Sequence, residues 1–138
     1  TEILRGNYFL ADDADAVQPC ELRTHWQVRR PVAGGQGWSV PVQGVATFDG
    51  LFATADVEGT LTWKRSTRRL VYDLTLCARG ARWRLHGARR ADWLRPVHGF
   101  TTMWAQLFED EAAIATVRMH FDVRRDLMAL VQSVAFER

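Results

Sequence analysis

The chain alternates apolar and polar residues with a period of two over most of its length, the pattern of strands that bury one face. In Glu21 to Arg29, Leu22, Thr24, Trp26 and Val28 share one face, while Glu21, Arg23, His25, Gln27 and Arg29 share the other. Val57, Gly59, Leu61 and Trp63 alternate with Glu58, Thr60, Thr62 and Lys64, and Leu70, Tyr72, Leu74 and Leu76 with Arg69, Val71, Asp73 and Thr75. The intervening "RSTR" reads as a hairpin. The arginine-rich stretch "ARWRLHGARRADW" obeys the same rule: Trp83, Leu85 and Gly87 oppose Arg82, Arg84 and His86, so its charges read as the wet side of a strand. Thr101 to Phe108 gives a further strand and "EDEA" a turn, after which Ala115, Val117, Met119 and Phe121 form a buried face opposite Thr116, Arg118 and His120. Val40 to Phe48, interrupted by Pro41 and Gly44, reads as an edge or bulged strand. "GGQG" at 34–37 and "RADWLRPVHGF" read as loops.

Helical spacing is confined to "RRDLMALVQSV", where Leu127, Leu130, Val131 and Val134 recur at three and four; this predicts one short helix near 124–133, with a last short strand through Phe136. Seven or eight strands with short connections bury their edges by closing into a barrel or pairing as a sandwich. The expected fold is an all-β, antiparallel, lipocalin-like barrel with one short C-terminal helix, formed as a single domain over 1–138. A length of 138 residues supports one core without metals or disulfides. No apolar run approaches the ~20 residues of a membrane span, and "TEILRGNYFLADDADAV" has no secretory pattern, so a soluble, cytoplasmic protein is expected. Net charge is +2, and the basic residues are dispersed among 16 carboxylates, which argues against a nucleic-acid partner. Cys20 and Cys77 stand far apart without metal-ligand spacing, which leaves free thiols or one bridge, free thiols being the expectation.

The predicted buried faces carry Trp26, Trp63, Tyr72, Trp83, Met119 and Phe121, joined by Trp104, and the chain has 6 tryptophans in all. A barrel of about eight strands either fills its interior or keeps room for one small ligand. Small or polar neighbours, Thr24, Gly59, Gly87, Thr102 and Gln106, give the lining the character of a pocket. The residues expected to contact a substrate are Trp26, Leu61, Trp63, Leu74, Trp83, Trp104, Gln106, Met119 and Phe121. Tyr72 is the ionisable side chain on a buried face and the candidate catalytic group, against the simpler reading of a core tyrosine bonded to backbone. His25, His86 and His120 fall on wet faces and His98 in a loop, so no metal site is expected. "EDE" at 109–111 reads as a hairpin tip, Asp92 beside Trp93 as a loop residue, and Ser39, Ser66 and Ser133 lack the context of an activated nucleophile. No dinucleotide-binding glycine motif occurs, and no cofactor is expected.

From about Gly44 onward, "VYDLTL", "RWRLHG" and "FTTMWAQL" resemble the small β-domain found beside cholesterol oxidase-like flavoproteins of the glucose-methanol-choline type. In that family a tyrosine-rich strand is followed by an aromatic strand ending in glycine, a loop, and a tryptophan with a run of threonines. Gly87, Thr101 and Thr102 match this order, while the family's acidic loop is replaced by "RADWLRPVHG", which keeps Asp92 and Pro96. The resemblance implies a β-domain that handles lipid-like molecules and transfers no flavin chemistry. Two functions follow. One is a cofactor-free cyclase that folds a linear, polyketide-like precursor for intramolecular ring closure, with Tyr72 or Gln106 polarising a carbonyl. The other is a non-catalytic lipid- or sterol-binding accessory module. In either case the partner is an apolar small molecule, and a homodimer stays open.

Overall fold

The computed structural model describes residues 2–26, 37–90 and 102–121. These form eight strands: β1 (Glu2–Leu10), β2 (Asp13–His25), β3 (Gly37–Phe48), β4 (Phe52–Lys64), β5 (Arg69–Ala78), β6 (Ala81–Arg90), β7 (Thr102–Glu109) and β8 (Ala112–Phe121). Each pairs antiparallel with its neighbours in sequence, and β1 pairs with β8 to close the barrel. The expected antiparallel barrel is the fold, and no helix occurs among the described residues. The helix predicted near 124–133 and the strand through Phe136 lie outside them, as do the loop residues Asp92, Trp93, Pro96 and His98.

The two ends of the barrel differ. At one end the hairpins are tight: Arg79 and Gly80, both at positive φ, join β5 to β6 in two residues, the handedness that matches strand twist. Beneath these turns an aromatic plug runs from Tyr8 to Phe48 (ring centroids 5.0 Å), Phe48 to Phe52 (5.1 Å) and Phe52 to Trp83 (4.8 Å). The Tyr8 hydroxyl donates to the Asp49 carbonyl. At the other end, here called the rim, β1 begins, β2 ends, β3 begins, β4 ends and β6 ends. "RSTR" makes the expected hairpin there, with Arg68 N donating to Arg65 O at 3.3 Å.

The alternation is kept inside the barrel, where Leu4, Leu22, Leu61, Tyr72, Leu74, Leu85, Val117 and Met119 are buried. Outside, Arg84 lies on Asp73 at 2.9 Å with both side chains about half exposed. An Arg84→Ala change is expected to alter stability by no more than about 0.5 kcal/mol, because exposed ion pairs contribute little; a chemical denaturation curve checks it.

β3 corrects one expectation, because a closed barrel has no edge and β3 lies between β2 and β4. Its register shifts between Ala46 and Phe48, a bulge or irregularity within the stretch that was read as an edge or bulged strand. Among the described residues the β2–β3 pairing ends at His25 and Gln43, so Pro41 lies beyond that ladder.

Gly59 and Gly87 correct another. Both were expected to leave space for a ligand, but neighbouring strands fill that space. A Cβ on Gly59 would lie 2.1 Å from the Asp73 carbonyl oxygen, and one on Gly87 would lie 2.4 Å from the Ala105 Cβ. Gly59→Ala therefore forces two ladder strands apart, with an expected loss of about 1–3 kcal/mol, the usual cost of overpacking. A lowered thermal midpoint by circular dichroism is the readout.

Candidate functional site

Three polar side chains are buried together inside the rim end of the barrel. Tyr72, on β5, is fully buried, as are Glu2, the first residue of β1, and Arg89, the last but one of β6. The Tyr72 hydroxyl donates to Glu2 Oε1 at 2.6 Å. Arg89 Nη2 donates both to Glu2 Oε2 and to the Tyr72 oxygen, which closes a ring of three hydrogen bonds. The Arg89 guanidinium also stands over the Tyr72 ring, 5.1 Å from its centroid.

Burial above all pushes the Tyr72 phenol well above its ordinary range; the Glu2 charge adds to this and Arg89 opposes it. The phenol is thus held as a neutral donor. Burial works to lower the Arg89 pKa, but the charge of Glu2 and the contact with Tyr72 outweigh it and the net direction is upward. Arg89 remains a cation inside the barrel.

Around this cluster the rim end is lined by indoles. Trp38 and Trp63 are direct cross-strand partners on β3 and β4, and Trp26 packs over Trp38 with ring centroids 6.2 Å apart. Thr24, on β2, pairs with Glu2 across the β1–β2 ladder. Thr24 is 1% exposed, Trp63 3% and Trp38 7%, yet among the described residues the Thr24 hydroxyl and the Nε1 donors of Trp26, Trp38 and Trp63 find no hydrogen-bond partner. Buried donors are paired in the great majority of cases; four of these stand at the rim end, and a fifth, Trp83 Nε1, stands in the aromatic plug at the turn end.

A scan against protein-family models and searches of curated proteins and of solved structures found no match.

The structure separates residues that the sequence grouped. Trp26, Leu61, Trp63, Tyr72, Leu74 and Met119 do belong to the interior or pack against it. Trp83 is buried too, but in the aromatic plug at the turn end, away from the polar cluster. Phe121 pairs with Leu4 at the end of β8, and its side chain lies outside the described residues. Trp104 and Gln106 do not face inward: Trp104 is 57% exposed and Gln106 is exposed beside it. On β7 the inward set is Met103, Ala105 and Leu107. The reason is spatial. Ala105 pairs with Gly87, whose other neighbour is the buried Tyr72, so that level of the barrel accepts a methyl group and not an indole. Trp104, Gln106, His86, Ala88 and Thr116 instead line a shallow groove of about 380 Å³ on the outer face. The Arg118 guanidinium lies 5.5 Å from the Trp104 ring centroid.

Thr102 also faces outward, where its hydroxyl lies 3.1 Å from His120 Nδ1. The simpler reading of Tyr72, a core tyrosine bonded to backbone, is replaced by a phenol bonded to two side chains. Sequence reasoning missed both of its partners. Arg89 continues the inward series Trp83, Leu85, Gly87, so its burial could have been read from parity, had the charge not marked it as surface. Glu2 shares parity with Leu4 and Tyr8, but Ile3 and Phe9 on the other face blur that alternation. Among the described residues no group of three or more His, Cys, Asp or Glu side chains is placed to hold a metal ion, and no helix is long and apolar enough to cross a membrane. Cys20 is buried and Cys77 exposed, and both are free thiols.

Proposed function

We propose that the rim end of the barrel takes up an apolar small molecule that carries oxygen acceptors, and that the protein is a cofactor-independent cyclase that folds a linear, polyketide-like precursor for ring closure of the cycloaddition type. The observation that carries this reading is the set of buried donors on Thr24, Trp26, Trp38 and Trp63 that find no partner among the described residues. An indole N–H can only donate, and a buried donor left unmade costs about 1–3 kcal/mol. A ligand with several carbonyl oxygens satisfies these donors, whereas a bare hydrocarbon does not.

The proposed chemistry needs no acid or base in flight. Indole walls hold two reacting segments of a flexible chain in a near-attack geometry, which replaces the entropy cost of folding it in water. A donor aimed at a carbonyl conjugated to one reacting alkene withdraws electron density from it and lowers the barrier. Gln106, on the outer face, is excluded from that role by its position. Tyr72 is positioned to act through the Glu2–Arg89 cluster instead of as an isolated phenol.

The resemblance of "VYDLTL", "RWRLHG" and "FTTMWAQL" to the β-domain beside cholesterol oxidase-like flavoproteins supports the second reading, a lipid- or sterol-binding accessory module. One experiment tests both. The purified protein is incubated with a linear polyene carrying carbonyl groups, while tryptophan fluorescence and product formation are followed. The cyclase reading expects quenching and a cyclised product, unaffected by chelators. Quenching without turnover leaves the binding module, and an unchanged spectrum rejects both.

A further inference from the structure

A buried ion pair is an expensive way to fill a core. Removing a carboxylate and a guanidinium from water costs several kcal/mol each, and well-packed apolar residues of similar volume are often equally or more stabilising. The pair of Glu2 and Arg89 nevertheless sits inside the barrel, with its side chains 3% and 0% exposed. It sits where the ligand reading places the occupant: Thr24, the ladder partner of Glu2, is one of the buried donors that find no partner among the described residues.

The two members are not equivalent. Arg89 is held by the Tyr72 hydroxyl and stacks over its ring, so its position is set by β5 and β6 together. Glu2 is the first described residue of β1; its ladder partner is Thr24 on β2, and the described β1–β8 pairing begins two residues further on, at Leu4 and Phe121.

We propose that Arg89 and Tyr72 form the head-group site for an acidic oxygen of the ligand, and that Glu2 is a built-in carboxylate that occupies this site until the ligand displaces it. The inference rests on the ligand-binding reading above and names the chemistry of the molecule: an apolar chain ending in a carboxylate or in the ionised enol of a dicarbonyl. Either anion reproduces the two contacts that Glu2 makes, one oxygen taking the Tyr72 O–H and one taking the Arg89 N–H, as Glu2 Oε1 and Oε2 do. Charge inside the barrel is conserved in the exchange, because one anion replaces another beside the same cation. An unionised ketone can accept one of these hydrogen bonds but brings no charge to replace that of Glu2 beside Arg89.

The test uses three probes of similar chain length, decanoate, the enolic acid octanoyl-cyclohexanedione and the neutral decyl methyl ketone, titrated by tryptophan fluorescence into the whole protein. Glu2→Gln removes the competing charge and keeps an acceptor for Tyr72. It is expected to tighten binding of at least one acidic probe about tenfold, the scale of one charge-assisted hydrogen bond, while leaving the neutral ketone unchanged. Which acid gains identifies the head group as carboxylate or enol. Tyr72→Phe keeps the Arg89–Glu2 pair and is expected to weaken the same acidic probe about tenfold, so the proposal stays open to refutation if Glu2→Gln does not fold. Unchanged or weaker acid binding by Glu2→Gln, or unchanged acid binding by Tyr72→Phe, overturns the head-group site. If the neutral ketone still binds in that case, the ligand-binding barrel survives; if no probe binds, that broader reading fails and takes the head-group site with it.

Discussion

Arg89→Leu is expected to lower stability by about 3–5 kcal/mol, the range for removing one partner of a buried ion pair. The loss has two parts. The carboxylate of Glu2 stays behind in an apolar interior with only the Tyr72 hydroxyl to meet it, and the Tyr72 oxygen loses the donor that Arg89 Nη2 supplied. The double change Glu2→Leu with Arg89→Leu removes both charges at once and is expected to cost much less than the single one, because nothing ionic is left stranded. Urea unfolding checks both: the transition midpoint should fall for the single variant at an unchanged slope and recover most of the way in the double. A single variant as stable as the parent would mean that the pair contributes nothing to the folded state. A double variant that is stable but no longer prefers acidic probes would assign the pair to binding and not to folding.

Alkaline pH is expected to destabilise the protein through a buried thiol and two buried phenols. Burial first, and then the negative charge of Asp49, push the Cys20 thiol up to about 12 from its ordinary 9.0. Burial likewise raises the Tyr8 phenol and, much more strongly, that of Tyr72. In each case the folded chain holds a proton that the unfolded chain gives up, so unfolding releases protons and stability falls as pH rises. Their contribution is fully present below about pH 9 and is lost between the unfolded value and the raised folded one. Each pH unit by which a pKa is raised corresponds to about 1.4 kcal/mol. Unfolding midpoints measured from pH 8 to pH 11 should therefore fall steadily above about pH 9. Cys20→Ala should flatten the first part of that fall and Tyr72→Phe the part above about pH 10, after correction for each variant's loss near neutrality. A flat profile in the parent would contradict the burial of both groups.

What the sequence by itself determined is the class of fold and most of its interior. Period-two alternation is a local property of the backbone: successive Cβ atoms point to opposite faces, so Leu61, Trp63, Tyr72, Leu74, Trp83 and Met119 could be assigned inward, and Arg82, Arg84 and His86 outward, one strand at a time. The hairpins at "RSTR" and Glu109–Ala112 were legible for the same reason, since turns are local. The tertiary structure decided what depends on a neighbouring strand. Trp104 looked like a core residue by size, and only its register against β6, where Ala105 meets Gly87, turned it outward. Gly59 looked like open space until the Asp73 carbonyl was found in it. The interior charges were the least legible feature. Glu2 and Arg89 are 87 residues apart in the chain, and each alone is a charged residue that one strand cannot afford to bury. Desolvation is a cost that only a partner can offset, and the partner comes from closing β1 onto the barrel. The sequence could therefore place Tyr72 inside, while only the closed barrel could supply the two ions it meets there.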